Sequence, residues 1–154
     1  MRALVLSDSH RDVASCLMAL KKHPKVDFII HLGDGEDDLD ELFSYTIGKK
    51  VVCVRGNCSL GSLKADRQII EIGGKKVYCC HGHIEGVKTT LDGLIAYAIA
   101  EGCELALFGH THRQKYLCLN EPTLHMFNPG SIRAGEYGIV DIGPEGIVCI
   151  KERL

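Results

Sequence analysis

Apolar residues fall along the chain in short runs separated by polar and glycine-containing stretches, and the run lengths set the elements. Residues 2–7, 26–31 and 50–55 are compact apolar runs of strand length, while 13–22 and 38–45 between them suit helices, the first ending before Pro24. This alternation is the βαβ pattern of a largely parallel sheet. Next, Gln68–Ile72 and Lys75–Cys80 flank Gly73-Gly74, a pair that tolerates the positive φ of a tight hairpin turn, so the sheet becomes mixed there. The spacing predicts a helix across Thr89–Glu101, with Leu91, Leu94, Ile95, Ala98 and Ile99 on one face. Gly102 closes it before a strand over 104–108.

The tail changes character. Lys115–Leu119 and Leu124–Phe127 surround Asn120-Glu121-Pro122, and Gly138–Ile142 and Ile147–Lys151 surround Gly143-Pro144-Glu145-Gly146. These are hairpins rather than βαβ units, and no fixed-period repeat or low-complexity segment interrupts them. An α/β fold of two facing mixed β-sheets flanked by helices fits both halves better than one doubly wound sheet. At 45% hydrophobic and 25% charged, residues 1–154 are enough for a single domain with its own core.

Charge narrows the partners. A formal net charge of -2 supplies no basic field for a nucleic-acid backbone, and the absence of Trp with only 6% aromatic residues leaves little for base stacking. No nucleic-acid surface is therefore expected, although small phosphodiesters remain suitable. No long apolar segment suggests a membrane span. Of the eight cysteines, Cys53, Cys79, Cys80, Cys118 and Cys149 sit inside strand-like runs and none forms a Cys-x-x-Cys pair, which argues against a disulfide framework. Cys79 and Cys80, being adjacent on a strand, should face opposite sides as buried structural thiols. Met1 is followed at once by a strand, with no basic leader, so a reducing cytoplasm is the expected location.

The chemistry-bearing side chains sit where the apolar runs end. Ala3–Leu6 leads into Ser7-Asp8-Ser9-His10, residues 26–31 into Gly33-Asp34-Gly35, and Val51–Val54 into Gly56-Asn57. Lys76–Cys80 leads into His81-Gly82-His83, and Leu105–Phe108 into Gly109-His110-Thr111-His112. Residues two apart on extended backbone point to the same side, so Asp8 with His10, and His110 with His112, read as ligand pairs. Parallel strands present their carboxyl ends at one edge, where binding crevices form. Asp8, His10, Asp34, Asn57, His81, His110 and His112 are thus expected to converge. The set lacks thiolates and suits Mn, Fe, Zn, Co or Ni rather than Ca. It exceeds what one ion needs. Two ions about 3.5–4 Å apart, sharing a bridging carboxylate and a bridging hydroxide, are the arrangement used for in-line displacement at phosphorus. Asp34 is the expected bridge.

Read in order, Asp-x-His, Gly-Asp, Gly-Asn, His-Gly and Gly-His-x-His make the chain resemble the calcineurin-like metallophosphoesterase superfamily. Its length, the Gly56-Asn57-Cys58 form and Asn128-Pro129-Gly130-Ser131 are similar to the superfamily's compact single-domain phosphodiesterases. The resemblance implies a metallophosphoesterase-type four-layer sandwich. It implies that Asp8, His10, Asp34 and His112 hold one metal, and that Asp34, Asn57, His81 and His110 hold the other and serve catalysis. The implied cofactors are two divalent transition-metal ions, manganese first, with nickel, iron, zinc or cobalt as alternatives. The implied reaction is hydrolysis of a small phosphodiester by a metal-bridging hydroxide. Two divalent ions less Asp8, Asp34 and one hydroxide leave about one positive charge, which a monoanionic diester neutralises.

Substrate contacts are expected from His83, two beyond His81, from Arg11 and Arg113, each following a ligand histidine, and from Cys58. Cys58-Ser59 stands where many relatives in the wider superfamily carry a histidine and an acid, so leaving groups that need no protonation, such as phenolates, should be preferred. His23 and His125 are read as helix-end and strand residues, and His31, ahead of Gly33-Asp34, as a residue that packs or hydrogen-bonds behind the ligands. The acidic run Glu36, Asp37, Asp38, Asp40 and Glu41 reads as carboxylates on the first turn of a helix. A phosphomonoesterase and a scaffold of the same fold, as in the retromer subunit, are the alternative functions. A metal store would bind ions without turnover. The apolar hairpins allow a homo-oligomer.

Overall fold

A computed structural model describes residues 1–154. One sheet contains β1 (Arg2–Leu6), β2 (Phe28–His31), β3 (Lys50–Cys53), β9 (Glu136–Gly143) and β10 (Gly146–Arg153), in the order β10-β9-β1-β2-β3. The other contains β4 (Arg67–Ile72), β5 (Lys75–Cys80), β6 (Leu105–Leu107), β7 (Gln114–Asn120) and β8 (Thr123–Pro129), in the order β4-β5-β6-β8-β7. Each sheet has a parallel core, β1-β2-β3 and β5-β6-β8, edged by antiparallel hairpin strands. The expected pair of mixed sheets forms.

Alternation along the strands builds the layers. Ala3, Val5, Phe28 and Ile30 face Val77, Cys79, Leu105, Leu107 and Phe127 in the core between the sheets. Leu4, Leu6 and Ile29 point outward onto Cys16, Ala19 and Leu20 of helix α1 (Val13–Lys22). Tyr78, Cys80, Ala106 and Met126 cover the opposite outer face under Leu94 and Ala98 of helix α3 (Asp92–Ala100). Cys79 and Cys80 thus face different layers, and all eight cysteines are free thiols. No helix is long and apolar enough to cross a membrane.

Two predicted helices differ. Instead of one α-helix over 38–45, Glu36–Leu42 forms a 3-10 helix followed by the one-turn α2 (Phe43–Thr46). The three-residue period puts Glu36, Leu39 and Leu42 on one face, and all three are buried, so two leucines set the winding. Helix α3 begins at Asp92 rather than Thr89, and Ile99 lies partly in solvent while Leu94 and Ala98 carry the packing.

Candidate metal centre

The carboxyl ends of β1, β2, β3, β5 and β6 meet at one edge of the sandwich and bring the predicted ligands together. The local backbone differs from the extended form that their spacing suggested. Asp8, His10, His110 and His112 lie beyond the ends of β1 and β6 with φ of 55°, 46°, 66° and 55°, and Asp34 has φ 57°. Each pair therefore meets through left-handed turns rather than by the alternation of an extended strand. Asp and His tolerate this conformation better than bulky residues do. It persists because hydrogen bonds over-determine it: Asp8 N–H donates to Gly33 O at 3.0 Å, His10 N–H to Asp34 O at 2.9 Å, and Gly109 N–H to His81 O at 3.0 Å.

His81, fully buried, is the hub. Its Nδ1 sits 2.7 Å from the Leu32 carbonyl, so the ring carries its proton there and turns Nε2 inward. Around Nε2 stand Asn57 Oδ1 at 3.1 Å, His110 Nδ1 at 3.1 Å, Asp34 Oδ2 at 3.4 Å and Asp8 Oδ1 at 3.9 Å. Oxygen and nitrogen lone pairs packed this closely repel one another unless a cation or a proton lies among them. Asp8 makes the same case. Its Oδ2 accepts from Ser7 Oγ at 2.6 Å and from His110 N–H at 3.1 Å, but its buried Oδ1 has no hydrogen-bond partner. That oxygen lies 3.0 Å from His112 Nε2 and 4.0 Å from His10 Nε2. Asp8-His10-His112 and Asp8-Asp34-His81 each bring ligand atoms within 4.8 Å of one another. His10, Asp34 and Cys58 form a third such group, so the donor set of oxygen and imidazole nitrogen, with the Cys58 thiol unexpectedly at its edge, fits divalent transition-metal ions.

Electrostatics at the hub follow from this crowding. Burial works against protonating His81, but the hydrogen bond to Asp34 and the Asp8 and Asp34 charges outweigh it and raise the imidazole pKa. Burial likewise opposes ionisation of Asp34, yet His81 and the Cys58 N–H hold its carboxyl well below the usual range. Burial, then His81 and the Lys88 ammonium, push His110 down to about 4, so that ring is a neutral donor atom at neutral pH.

The supporting shell joins the expected His31 to Ser9 and Asp38, which motif reading missed. Gly33 N–H donates to His31 Nδ1 at 3.2 Å, which leaves the proton on Nε2 to be donated to Ser9 Oγ at 3.0 Å. Ser9 Oγ in turn donates to Asp38 Oδ2 at 2.6 Å, and the same oxygen accepts from Arg11 N–H. This chain ties the Asp8–His10 loop to the Asp34 loop, and burial pushes the His31 pKa down to about 4 so that the ring stays neutral. Glu36, Asp37 and Asp38 do occupy the first turn of the 3-10 helix, and Glu36 and Asp38 are buried there as structural carboxylates. Asn128, buried at the end of β8, donates to Gly109 O at 2.7 Å and Thr111 Oγ1 at 3.1 Å, while Ser131 Oγ donates to Asp8 O at 2.8 Å. The strand-end rule that gathered the predicted ligands, applied to β8, also reaches Asn128 of the Asn128-Pro129-Gly130-Ser131 motif. At Gly56 a Cβ would overlap the Asp34 carboxylate, so only glycine lets β3 deliver Asn57 here.

The residues expected to touch substrate are spread around the rim. The His83 ring lies 5.4 Å from His81 and 6.1 Å from His110, and its buried Nδ1 has no partner. Cys58 accepts a hydrogen bond from Asn57 Nδ2 at 3.2 Å, and partial desolvation, then Asp34, raise its thiol pKa. Arg11 borders an acidic cleft of ≈ 410 Å³ with Asp34, Glu36 and Asp38, whereas Arg113 borders a separate groove of ≈ 640 Å³ between the His81 and His110 loops. The histidines set aside remain outside the cluster: His23 caps α1 against Tyr137, and His125 bonds Tyr116.

Known proteins share this fold. A model of the calcineurin-like phosphoesterase superfamily domain matches residues 1–142. The probable metallophosphoesterase YsnB of Bacillus subtilis (strain 168) is 33% identical over 136 residues, spanning 86% of this chain and 76% of its own. The solved structure of an archaeal phosphodiesterase matches with a TM-score of 0.77 at 22% identity, over 100% of both chains. Wild-type Vps29 from Entamoeba histolytica, complexed with zinc, matches at 0.73 with 18% identity over 99% of both chains. The last two likenesses are of fold.

Proposed function

Because the chain belongs to the calcineurin-like phosphoesterase superfamily, we propose that it is a metal-dependent phosphodiesterase that hydrolyses a small phosphodiester at the rim cluster. The observation that carries this reading is the convergence of acceptor atoms on His81 Nε2 beside the partnerless Oδ1 of Asp8. Asp8, His10, Asp34 and His112 would hold one divalent ion, and Asp34, Asn57, His81 and His110 the other. When bound, such a pair supplies Lewis-acid neutralisation of phosphoryl charge and a deprotonated water at neutral pH.

The chain's own residues prepare the site for that chemistry. Leu32 O fixes the His81 tautomer so that Nε2 keeps its lone pair inward. Ser7 and the His110 N–H aim the Asp8 carboxylate, Ser131 fixes the Asp8 carbonyl, and the Cys58 N–H holds the Asp34 carboxylate. The neutral His110 adds no charge of its own to the ligand set, so two divalent ions less Asp8, Asp34 and one hydroxide would leave about one positive charge, which suits a monoanionic diester better than a dianionic monoester. Manganese is the first candidate ion, with nickel, iron, zinc and cobalt suited to the same donors. Eight free thiols fit a reducing compartment such as the cytoplasm.

The test is metal analysis with activity measured on bis(4-nitrophenyl) phosphate and 4-nitrophenyl phosphate after separate reconstitution with Mn, Ni, Zn and Fe. Metal-dependent turnover favouring the diester is expected, and protein that stays inert with every ion would leave the scaffold reading in its place. That alternative draws on the fold shared with Vps29, but the full ligand set favours the hydrolase.

A further inference from the structure

A groove of ≈ 640 Å³ opens between the His81 and His110 loops, with Lys88, Arg113 and Lys115 along it and Val87, Leu91 and Phe108 forming its apolar wall. No carboxylate lines it. None of these three cations is paired with an acid, as Arg2, Arg55, Arg67, Lys75 and Arg153 are, and here three unpaired cations share one groove. In a chain of net charge -2 this is a local reversal of sign. Like charges gathered without counter-charges repel, and an anionic ligand relieves the repulsion. The groove also adjoins the reaction centre: Thr111 and Arg113 flank His112 in sequence, and the Lys88 charge reaches both His110 and Cys58. On the other side of the cluster, the cleft of ≈ 410 Å³ carries, beside the candidate ligand Asp34, the further carboxylates Glu36, Asp37 and Asp38 against Arg11. The rim is therefore polarised, attracting a second negative charge on one flank and repelling it on the other.

We propose that the groove binds a second phosphate of the substrate, carried on one arm of the diester, with the body of that arm against Val87 and Leu91. The substrate class is then a phosphodiester with a distal phosphomonoester. The arm without this charge lies toward Cys58 and Leu60. This rests on the phosphodiesterase reading and names the substrate that reading leaves open.

The test uses a matched pair, the 4-nitrophenyl ester of thymidine 5'-phosphate with and without a 3'-phosphate, on the metal-reconstituted full chain. Scissile bond and leaving group are identical, so the ratio of the two kcat/KM values reports the distal phosphate alone. A ratio of at least about tenfold, equivalent to about 1.4 kcal/mol, is expected, expressed in KM and shrinking with added salt. Lys88→Ala with Lys115→Ala should bring the ratio toward one. Turnover of both esters at equal kcat/KM, or a high ratio that survives the double substitution, overturns the groove assignment while the hydrolase stands. If neither ester is turned over, the hydrolase reading fails and calorimetric titration with thymidine 3',5'-bisphosphate decides the groove. Binding weakened at least tenfold by the double substitution supports the groove, and equal affinity in both proteins overturns it.

Discussion

Nε2 of His81 stands 3.4 Å from Oδ2 of Asp34, and this contact joins the two halves of the cluster. On one side Asp8, His10 and His112 share one another's reach, and on the other Asn57 and His110 lie against His81. Asp34→Asn keeps the side chain's size and removes the charge. Turnover of an aryl diester should fall at least about a thousandfold, a loss of about 4 kcal/mol in transition-state stabilisation, and bound metal should drop from two ions per chain toward one. Elemental analysis beside steady-state kinetics reads both effects. Unaltered turnover in the variant would remove Asp34 from the bridging position.

The convergence of the candidate ligands was legible because backbone topology is legible. Compact runs such as 2–7 and 104–108 announce buried parallel strands, and the residues just beyond each run must appear at one edge. The βαβ alternation and the later hairpins likewise determined the two mixed sheets. Local conformation was less accessible, since nothing in Asp8-Ser9-His10 distinguishes an extended segment from the left-handed turn that forms, where tertiary hydrogen bonds decide. The 3-10 winding of Glu36–Leu42 depends on burying Leu39 and Leu42 against α1, a choice made by packing rather than by propensity. Ser9, His31 and Asp38 belong to one hydrogen-bonded chain although 29 positions separate its ends, and no spacing rule reaches that far.

Asp8 keeps a buried oxygen without a hydrogen-bond partner, a costly state that a bound cation relieves. Divalent metal at about 100 times its dissociation constant should add about 2.7 kcal/mol to stability. For a domain of this size that raises the thermal midpoint by roughly 5–10 °C. Asp8→Asn, which weakens the site, should lose more than half of that rise. Calorimetric scans in EDTA and in excess Mn make the comparison. An equal rise in parent and variant would show that the ion stabilises the chain somewhere else.

Cys58 remains a neutral thiol at neutral pH, because partial desolvation and Asp34 raise its pKa. It is a poor substitute for an imidazolium as proton donor to a leaving alkoxide. A positioned general acid contributes about 100-fold or more, so aryl diesters should react at least about 100 times faster than matched methyl diesters. Cys58→His should narrow that gap by accelerating the alkyl substrate. Similar rates for both esters in the parent protein would instead mean that another group delivers the proton.

Glu85, on the loop after His81, accepts hydrogen bonds from Tyr78 Oη at 2.7 Å and Arg67 Nε at 2.6 Å on the same buried oxygen. Burial opposes its ionisation, but these two bonds and the Arg67 charge outweigh it and lower the folded-state pKa. A depressed carboxylate pKa stabilises the fold fully above the unfolded value of about 4.3. The contribution is lost as the pH falls from there through the folded value. Glu85→Gln retains an acceptor but no charge, and should cost about 1.5–3 kcal/mol at pH 7, the range for hydrogen bonds to charged groups. Urea denaturation of parent and variant in EDTA should show that difference shrinking as the pH falls below about 4.3 and through the depressed folded-state value, where the parent's own carboxyl becomes protonated. A cost independent of pH would assign the effect to packing, and Glu85 would then hold Arg67 and Tyr78 by shape rather than by charge.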